Sequence, residues 1–533
     1  MVAVMGSSGA GKTTFLNVLA RRNTNMEGNI LANGRPVDPE TYMQNSAYVM
    51  QEDLFLGNLT CYEHLFFTGM LRLDQSMTEE QVIAQVESLL KAMGLWDVRN
   101  NVIGNVGRGL QRGISGGERK RLAFASEIIT DPPVFFADEP TSGLDSAKAL
   151  NIVMMMKQVA SLGRTVLATI HQPSSQIYNE FGYLCLIHKD PPAEDGTRPT
   201  EEEAGGHIVY YGPREEAIEY FAGIDDSLAC PNHFNPADWW LLALEHTLFK
   251  AKDLADRFRA SEVYRRMQAR PIPTYGQVAL SAGAGAANAD TDASSTSGNK
   301  APAAAPALSS GKVSKGPMVE DAMDLGPLDA REHIQAPWCK QCCLLQRRSF
   351  AASSRDPLLT YARLGQTLVI ALIAGLIFLR LSNNQQGVQD RNGAVFFILI
   401  NQSMSSVFGV LQSFPLEKPV LRRELESGSY RSDTWYLSRS VSEVSFQFIF
   451  PILFCSIAYW MMGLRDDFGT FLAFTGIVLL AANTAFSLGY MISALAPSVE
   501  IALALGPVTI LPLFLFSGFF INTASIPVYF IWL

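Results

Sequence analysis

A chain of 533 residues exceeds what one hydrophobic core of ordinary size fills, so at least two folding units are expected. A hydrophobic content of 48% and a mean hydropathy of +0.11 are high for a water-soluble protein, whereas 51 acidic and 42 basic residues need water; one soluble and one membrane part satisfy both. The net charge of −9 offers polyanions no long-range attraction and weighs against nucleic acid as a partner, and the seven scattered cysteines form no disulfide framework.

Residues 1–262 alternate short apolar runs (VAVM, VFFADE, TVLATIH) with helical patterns such as EEQVIAQVESLLKAMGL, which predicts an α/β domain with a largely parallel sheet. Residues 1–20 read as a strand, a glycine-rich loop and a helix start rather than as a cleavable signal peptide. The loop, GSSGAGKTT, follows GxxxxGK[ST] between strand and helix and so reads as a P-loop. Gly6, Ser7, Ser8, Gly9, Ala10 and Gly11 turn backbone N–H groups toward phosphates, with Thr14 continuing the loop into the helix. Lys12 neutralises the β- and γ-phosphates of a nucleotide, and the Thr13 hydroxyl ligates Mg²⁺.

Further along, ISGGERKRLAFASEII places Ser115, Gly116 and Gly117 at a helix start, where free N–H groups and the helix dipole suit a γ-phosphate. VFFADEPTSGLDS then supplies an apolar strand ending in Asp138, a Mg²⁺ ligand, and Glu139, a candidate base for an attacking water.

From about residue 274 the composition turns to Ala, Ser, Gly and Pro, too poor in apolar surface to offset ordering entropy, and residues 263–332 read as a largely disordered linker. Residues 333–363 are amphipathic and predict a connecting helix along a membrane surface. Five apolar runs follow, over about 364–381, 393–414, 441–462, 468–495 and 499–521, each near the ~20 residues a helix needs to cross hydrocarbon. Arg347, Arg348, Arg355 and Arg363 precede the first run, and Lys418, Arg422, Arg423, Arg431 and Arg439 lie between the second and third, so both flanks are expected in the cytosol. The α/β domain is then cytosolic, and the choice between plasma membrane and an internal membrane stays open.

A P-loop combined with SGGERKR and ADEPTSGLDS resembles the ATPase domain of ABC transporters, and the order of ATPase domain before membrane domain resembles the ABCG (White) half-transporters. IHQPSSQIY, HIVYYGP, CPNHFNPADWW, FFILINQSMSSV, LRRELESGSYRSDTWYLSR and FLFSGFFINTASIP carry the same likeness over nearly all of the chain except the linker. The fold class implied is a P-loop ABC ATPase domain followed by an all-α polytopic transmembrane domain. By the same resemblance His171 is a switch histidine near the γ-phosphate, Gln51 a Q-loop glutamine at the Mg²⁺, and Asp145 a D-loop aspartate between paired sites. The signature serine of one such domain closes over nucleotide held by another, so the resemblance implies a homodimer or a heterodimer with another half-transporter.

The family pattern also makes residues 417–439 a coupling segment and lines a central cavity with the second and fifth spans. Phe397, Asn401 and Met404 share one helical face and are the cavity candidates, while Phe519 and Phe520 stand where family members carry a paired leucine plug. Glu443 and Gln447, one turn apart, are expected to face neighbouring helices. The function implied is ATP-driven export of a lipophilic or amphipathic small molecule such as a lipid, sterol or xenobiotic; the competing reading is a truncated, non-transporting regulatory dimer partner. The pattern's strands before the P-loop, with an adenine-stacking aromatic, and its sixth span have no counterpart here, so a fragment of a longer protein is expected.

Overall fold

The computed structural model describes residues 1–533 apart from 24, 105–112, 191–204, 246–248, 270–335, 356, 382–383, 517–518 and 520–533. Its strands are β1 (Val2–Gly6), β2 (Leu31–Ala32), β3 (Arg35–Pro36), β4 (Ser46–Val49), β5 (Val134–Ala137), β6 (Thr165–Thr169), β7 (Tyr183–His188) and β8 (His207–Pro213). The helices are α1 (Lys12–Leu19), α2 (Pro39–Gln44), α3 (Cys61–Arg72), α4 (Glu79–Ala92), α5 (Gly116–Ile128), α6 (Ser146–Ser161), α7 (Ser175–Asn179), α8 (Glu216–Ala222), α9 (Pro236–Glu245), α10 (Ala251–Ala260) and α11 (Glu262–Ala269). Beyond residue 335 come α12 (Trp338–Ser354), α13 (Pro357–Ile377), α14 (Gln385–Glu426), α15 (Ser432–Met461), α16 (Phe468–Leu495) and α17 (Val499–Leu515). Two compact units result: one holds residues 1–53, 87–96 and 115–334, the other residues 54–86, 97–114 and 335–533.

The first unit is built on a six-stranded sheet in the order β4-β5-β6-β1-β7-β8, parallel except for the antiparallel β7–β8 pair. Central parallel strands are covered on both faces, which is why they read as unbroken apolar runs. Val4 and Met5 of β1, Phe135 and Phe136 of β5, and Leu184 and Leu186 of β7 are all buried. The order puts the carboxyl ends of β4, β5, β6 and β1 side by side along one edge, the place where open α/β sheets bind ligands.

The second unit joins α3 to the helices beyond residue 335. A capping box starts α3, with the Thr60 hydroxyl accepting from the Glu63 amide and the Glu63 carboxylate accepting from the Thr60 amide. Leu71 of α3 packs with Leu345 of α12, Phe414 of α14, Trp435 of α15 and Tyr490 of α16 in one buried cluster. Among the described residues four helical segments are long and apolar enough to cross a membrane: Thr360–Ile377, Gly387–Glu426, Ser432–Met461 and Phe468–Leu495. The fifth expected run is the shorter apolar helix Val499–Leu515, and its remainder falls mostly outside the described residues.

Packing among these helices relies on small residues. Ala371 and Ala374 of α13, Ala394 of α14 and Ala458 of α15 are buried together, and a Cβ on Gly489 of α16 would lie 3.2 Å from the Val407 carbonyl oxygen. Without a hydrophobic drive between helices in lipid, such close approach supplies the dispersion contact.

Three boundaries differ from expectation. Residues 263–269, read as linker, form α11; from residue 270 the linker lies outside the described residues. The amphipathic stretch divides into α12, which ends at Ser354, and the start of α13 at Pro357. The basic segment after the second apolar run is not a loop but the continuation of α14 through Pro415 and Pro419 to Glu426, a short turn, and the start of α15. Helical continuation there is held by buried pairs: Arg348 of α12 donates to both oxygens of Glu424 at 3.0 and 2.9 Å, and Arg439 of α15 contacts Glu417 at 2.8 Å. These ion pairs tie the proline-containing stretch of α14 to two neighbouring helices.

Candidate functional site

The loop between β1 and α1 is shaped by its glycines. A Cβ on Gly6 would lie 2.3 Å from the Ile187 carbonyl oxygen of β7, while Gly9 and Gly11 adopt left-handed φ angles of 75° and 92°. Ser8, Gly9, Thr13 and Thr14 are exposed, leaving the mouth of the loop open, and the Ala10 amide closes the turn on the Ser7 carbonyl at 3.2 Å. Lys12 is only 6% exposed and donates its Nζ to the carbonyls of Gly6 and Ser7 at 2.9 and 3.0 Å. Burial pulls its pKa below the usual lysine value, and Glu139 and Asp138 oppose that shift.

Asp138 and Glu139 leave the end of β5, one strand removed from β1. Thr13 Oγ1 donates to Asp138 Oδ1 at 3.1 Å, across the intervening β6. Thr169, the last residue of β6 and fully buried, donates its hydroxyl to the same Asp138 oxygen at 2.7 Å and accepts the Glu139 amide at 2.7 Å. Glu139 has φ of 43°, a left-handed conformation uncommon for a residue with a Cβ and typical of a constrained functional turn. Gln51, just past β4, donates its side-chain amide to Glu139 Oε2 at 2.7 Å. Gln51, Asp138 with Glu139, His171 and the P-loop therefore follow one another along the sheet edge in the order β4, β5, β6, β1. His171 is exposed, two residues after β6, and Gln172 beside it has φ of 47°.

Ser115 is the N-cap of α5, its hydroxyl accepting the Glu118 amide while Glu118 accepts the Ser115 amide at 2.7 Å. Gly116 faces open space, whereas a Cβ on Gly117 would press on the Lys148 side chain. Asp145 caps α6, accepting the Lys148 amide at 2.9 Å and the Lys148 ammonium at 2.6 Å, and these bonds hold its carboxyl below the usual aspartate range. Beside the P-loop opens a largely apolar cleft of about 1010 Å³, lined in part by Gly9, Gly11, Thr14, Phe15, Ile208 and Tyr211.

Residues 1–142 match the family model described as ABC transporter, and residues 340–533 match the ABC-2 type transporter model. Over its whole length the chain is 36% identical to the protein white of Drosophila melanogaster, of which it covers 70%. It is 33% identical to the ABC transporter ATP-binding protein/permease wht-1 of Caenorhabditis elegans, covering 73% of it. It is 30% identical to the broad substrate specificity ATP-binding cassette transporter ABCG2 of Sus scrofa, covering 75% of it.

This chain belongs to the ABCG, or White, family of ABC transporters. As an ABCG half-transporter it couples a nucleotide-binding, ATP-hydrolysing domain to a membrane domain, and ABCG half-transporters generally act as dimers.

Two contributors to this ABCG site lie inside strings quoted above, SGGERKR and TVLATIH, but are not among the site residues expected there. Thr169 ties Asp138 to Glu139, and its only sequence signal is a hydroxyl at the end of an apolar strand, two residues before His171. Lys120 of α5, buried, donates Nζ to the Gln51 carbonyl at 2.6 Å and pairs with Asp53 at 3.1 Å.

In the membrane domain the three cavity candidates of α14 meet different surroundings. Phe397 is 39% exposed, Asn401 lines a polar cleft with Arg363 and Gln447, and Met404 packs against the buried cluster of Val407, Leu411, Ile492 and Ile510. One strip along a 42-residue helix passes different neighbours at different depths. Phe519 stacks on Phe396 with centroids 3.9 Å apart, and Phe520 lies outside the described residues. Glu443 pairs with Arg439 at 2.6 Å and accepts from Tyr490 at 3.0 Å, and Gln447 accepts from Ser406 at 3.1 Å.

Proposed function

We propose that this ABCG chain works as a dimer exporting lipophilic or amphipathic molecules from a membrane whose cytosolic side carries the ATPase domain. The observation that carries the ATPase half of this reading is the linked set Thr13, Asp138, Glu139 and Gln51, joined by hydrogen bonds of 2.7 to 3.1 Å along one sheet edge. In this reading the P-loop amides of residues 6–14 and Lys12 hold the β- and γ-phosphates of ATP, and the apolar cleft beside Tyr211 receives the base.

Thr13, Asp138 and the Gln51 side chain would hold Mg²⁺. Two cis ligands at the ~2.0–2.1 Å typical of this ion stand about 3 Å apart, and the Thr13–Asp138 separation of 3.1 Å fits that. When bound, the ion neutralises phosphate charge. Glu139 orients and deprotonates the attacking water, Gln51 fixes the carboxylate that does so, and His171 contacts the γ-phosphate side. Ser115, Gly116 and Gly117 present the open N-terminus of α5, and Asp145 the adjoining loop, to nucleotide on a partner subunit.

A lipophilic or amphipathic cargo is supported by the apolar second and fifth helices, with Phe397 and Met404 on the second. The test is reconstitution in lipid vesicles with a fluorescent amphiphile. ATP-dependent movement of the dye, lost in Lys12→Met, is the expected result; dye movement identical with and without ATP overturns the reading.

A further inference from the structure

One face of α12 is pinned to the rest of its unit. Gln341 is buried there, its side-chain oxygen accepting from the Arg431 amide at 3.1 Å and the Thr434 hydroxyl at 3.0 Å. Leu345, one turn on, is buried with Leu71 and Trp435, and Arg348 follows with its pair to Glu424. These contacts fix the rotation of the helix, so what lies on its opposite side stays turned outward. That side carries Cys339 and Cys343, one turn apart and both exposed, and continues through the exposed Arg347 and Phe350. Free cysteine is among the residue types most often buried, as Cys61, Cys185 and Cys455 are here. Two exposed thiols on one turn of one helix depart from that habit together.

Their depth follows from the register of α12 against α15. The Cys342 carbonyl accepts from the Ser438 hydroxyl at 3.0 Å and the Gln346 carbonyl from the Ser442 hydroxyl at 3.3 Å, so the two helices run side by side in the same direction. Ser438 stands three residues before the apolar run that starts near Val441, about 4.5 Å of helix axis. The cysteine face therefore lies level with the place where α15 enters hydrocarbon. A single leaflet is about 15 Å deep, half of the hydrocarbon core, so a fatty chain fixed to this face reaches the apolar layer directly. The surroundings suit that level: the Trp338 ring is 44% exposed with its indole N–H on Asp433 at 3.2 Å, and Arg347 offers a cation to lipid head groups.

We propose that Cys339 and Cys343 form an S-acylation site, each thiol taking a fatty chain that inserts beside α15 and holds α12 against the membrane. The cysteine thiolate attacks the carbonyl carbon of a fatty acyl thioester of a carrier thiol. A new S–C bond forms at the cysteine, the carrier's S–C bond breaks, and the carrier leaves as a thiolate that takes up the proton the cysteine lost, with no change of oxidation state. Cys342 is left unmodified: it is half-buried toward α15, and burial raises its thiol above the usual cysteine range. One chain gives a reversible attachment and two a lasting one, so the pair sets how firmly α12 is held. The site rests on the reading that α12 lies on the cytosolic side of the membrane.

The test expresses the full-length chain in cells fed an alkynyl fatty acid and reads the label on the purified protein before and after neutral hydroxylamine, which cleaves thioesters. The unsubstituted protein and Cys342→Ser should both carry hydroxylamine-sensitive label on the peptide containing residues 339–343. The double variant Cys339→Ser with Cys343→Ser should lose it by roughly tenfold or more, with an unchanged thermal unfolding midpoint because both side chains are exposed. Label absent from the unsubstituted chain, kept in the double variant, or lost in Cys342→Ser overturns the proposal. Sidedness is read separately, with a membrane-impermeant maleimide on sealed, hydroxylamine-treated vesicles of known orientation. Reaction at residues 339–343 from the outer face would contradict the cytosolic reading itself, whereas thiols reactive only from the cytosolic face and free of fatty label in cells would contradict acylation alone.

Discussion

Lys120, on the helix that begins with the SGG signature, donates its ammonium to the backbone carbonyl of Gln51 at 2.6 Å. The Gln51 side chain in turn holds Glu139 at 2.7 Å, so α5 and the candidate base are joined through a single residue. This gives α5 a two-bond hydrogen-bonded route to the carboxylate at the end of β5.

Removing the Lys120 ammonium leaves the largely buried Asp53 carboxylate without its ion pair at 3.1 Å. Lys120→Met should destabilise the protein by about 3 kcal/mol, the usual cost of stranding one partner of a buried pair, and slow ATP turnover. The double variant Lys120→Met with Asp53→Asn should recover most of the thermal stability but not the turnover. Thermal unfolding and steady-state ATPase assays on the three variants separate the two effects.

Thr169→Val keeps the shape of a fully buried side chain but deprives the Glu139 amide and the Asp138 carboxylate of their shared hydroxyl. Leaving such a donor unsatisfied costs about 1–3 kcal/mol, which corresponds to roughly 5- to 150-fold in rate if it is felt in the transition state. Thr169→Ser, which restores the hydroxyl, should recover most of kcat, with KM for ATP little changed throughout.

His64 of α3 is buried edge-on to Phe55, with centroids 4.9 Å apart, and burial, aided by Arg423, lowers its pKa to about 3. The unfolded chain takes up a proton near 6.5, so between that pH and about 3 the unfolded state binds more protons than the folded one. The stabilising contribution is full above pH 6.5 and is lost as pH falls through that window. His64→Phe should flatten the decline of the unfolding midpoint between pH 7 and 5; an unchanged slope would show that His64 is not buried in its neutral form.

The nucleotide edge was legible because its chemistry is written in contiguous strings at strand ends, where neighbouring residues share one surroundings. GSSGAGKTT, ADEP and TIHQ each carry their own geometry, and strand order alone brings them into one row. Thr169 and Lys120 sit inside TIHQ and SGGERKR, yet their roles are not legible there, since each acts through a partner distant in sequence. α14 continues past residue 414, where the second apolar run ends, because Arg348 and Arg439 on two other helices pair with its glutamates there, contacts no local pattern records. Phe397, Asn401 and Met404 lie at i, i+4 and i+7 of α14, yet that spacing says nothing of which neighbour each residue meets. The segment Leu54–Val86 packs with the helices beyond residue 335, a grouping that follows from contacts such as Arg355 with Glu63 and Asn58 with Ala352, not from local pattern.

The most direct test of the account is ATP binding and turnover by Glu139→Gln in the purified full-length chain. Gln51 can still hydrogen-bond the new amide, so the site keeps its shape while the base is lost. The account predicts that ATP binds with near-unchanged affinity, that hydrolysis falls at least a hundredfold, about 2.7 kcal/mol, and that a closed dimer accumulates. Hydrolysis at the rate of the unsubstituted protein would remove Glu139 from the chemistry and contradict it.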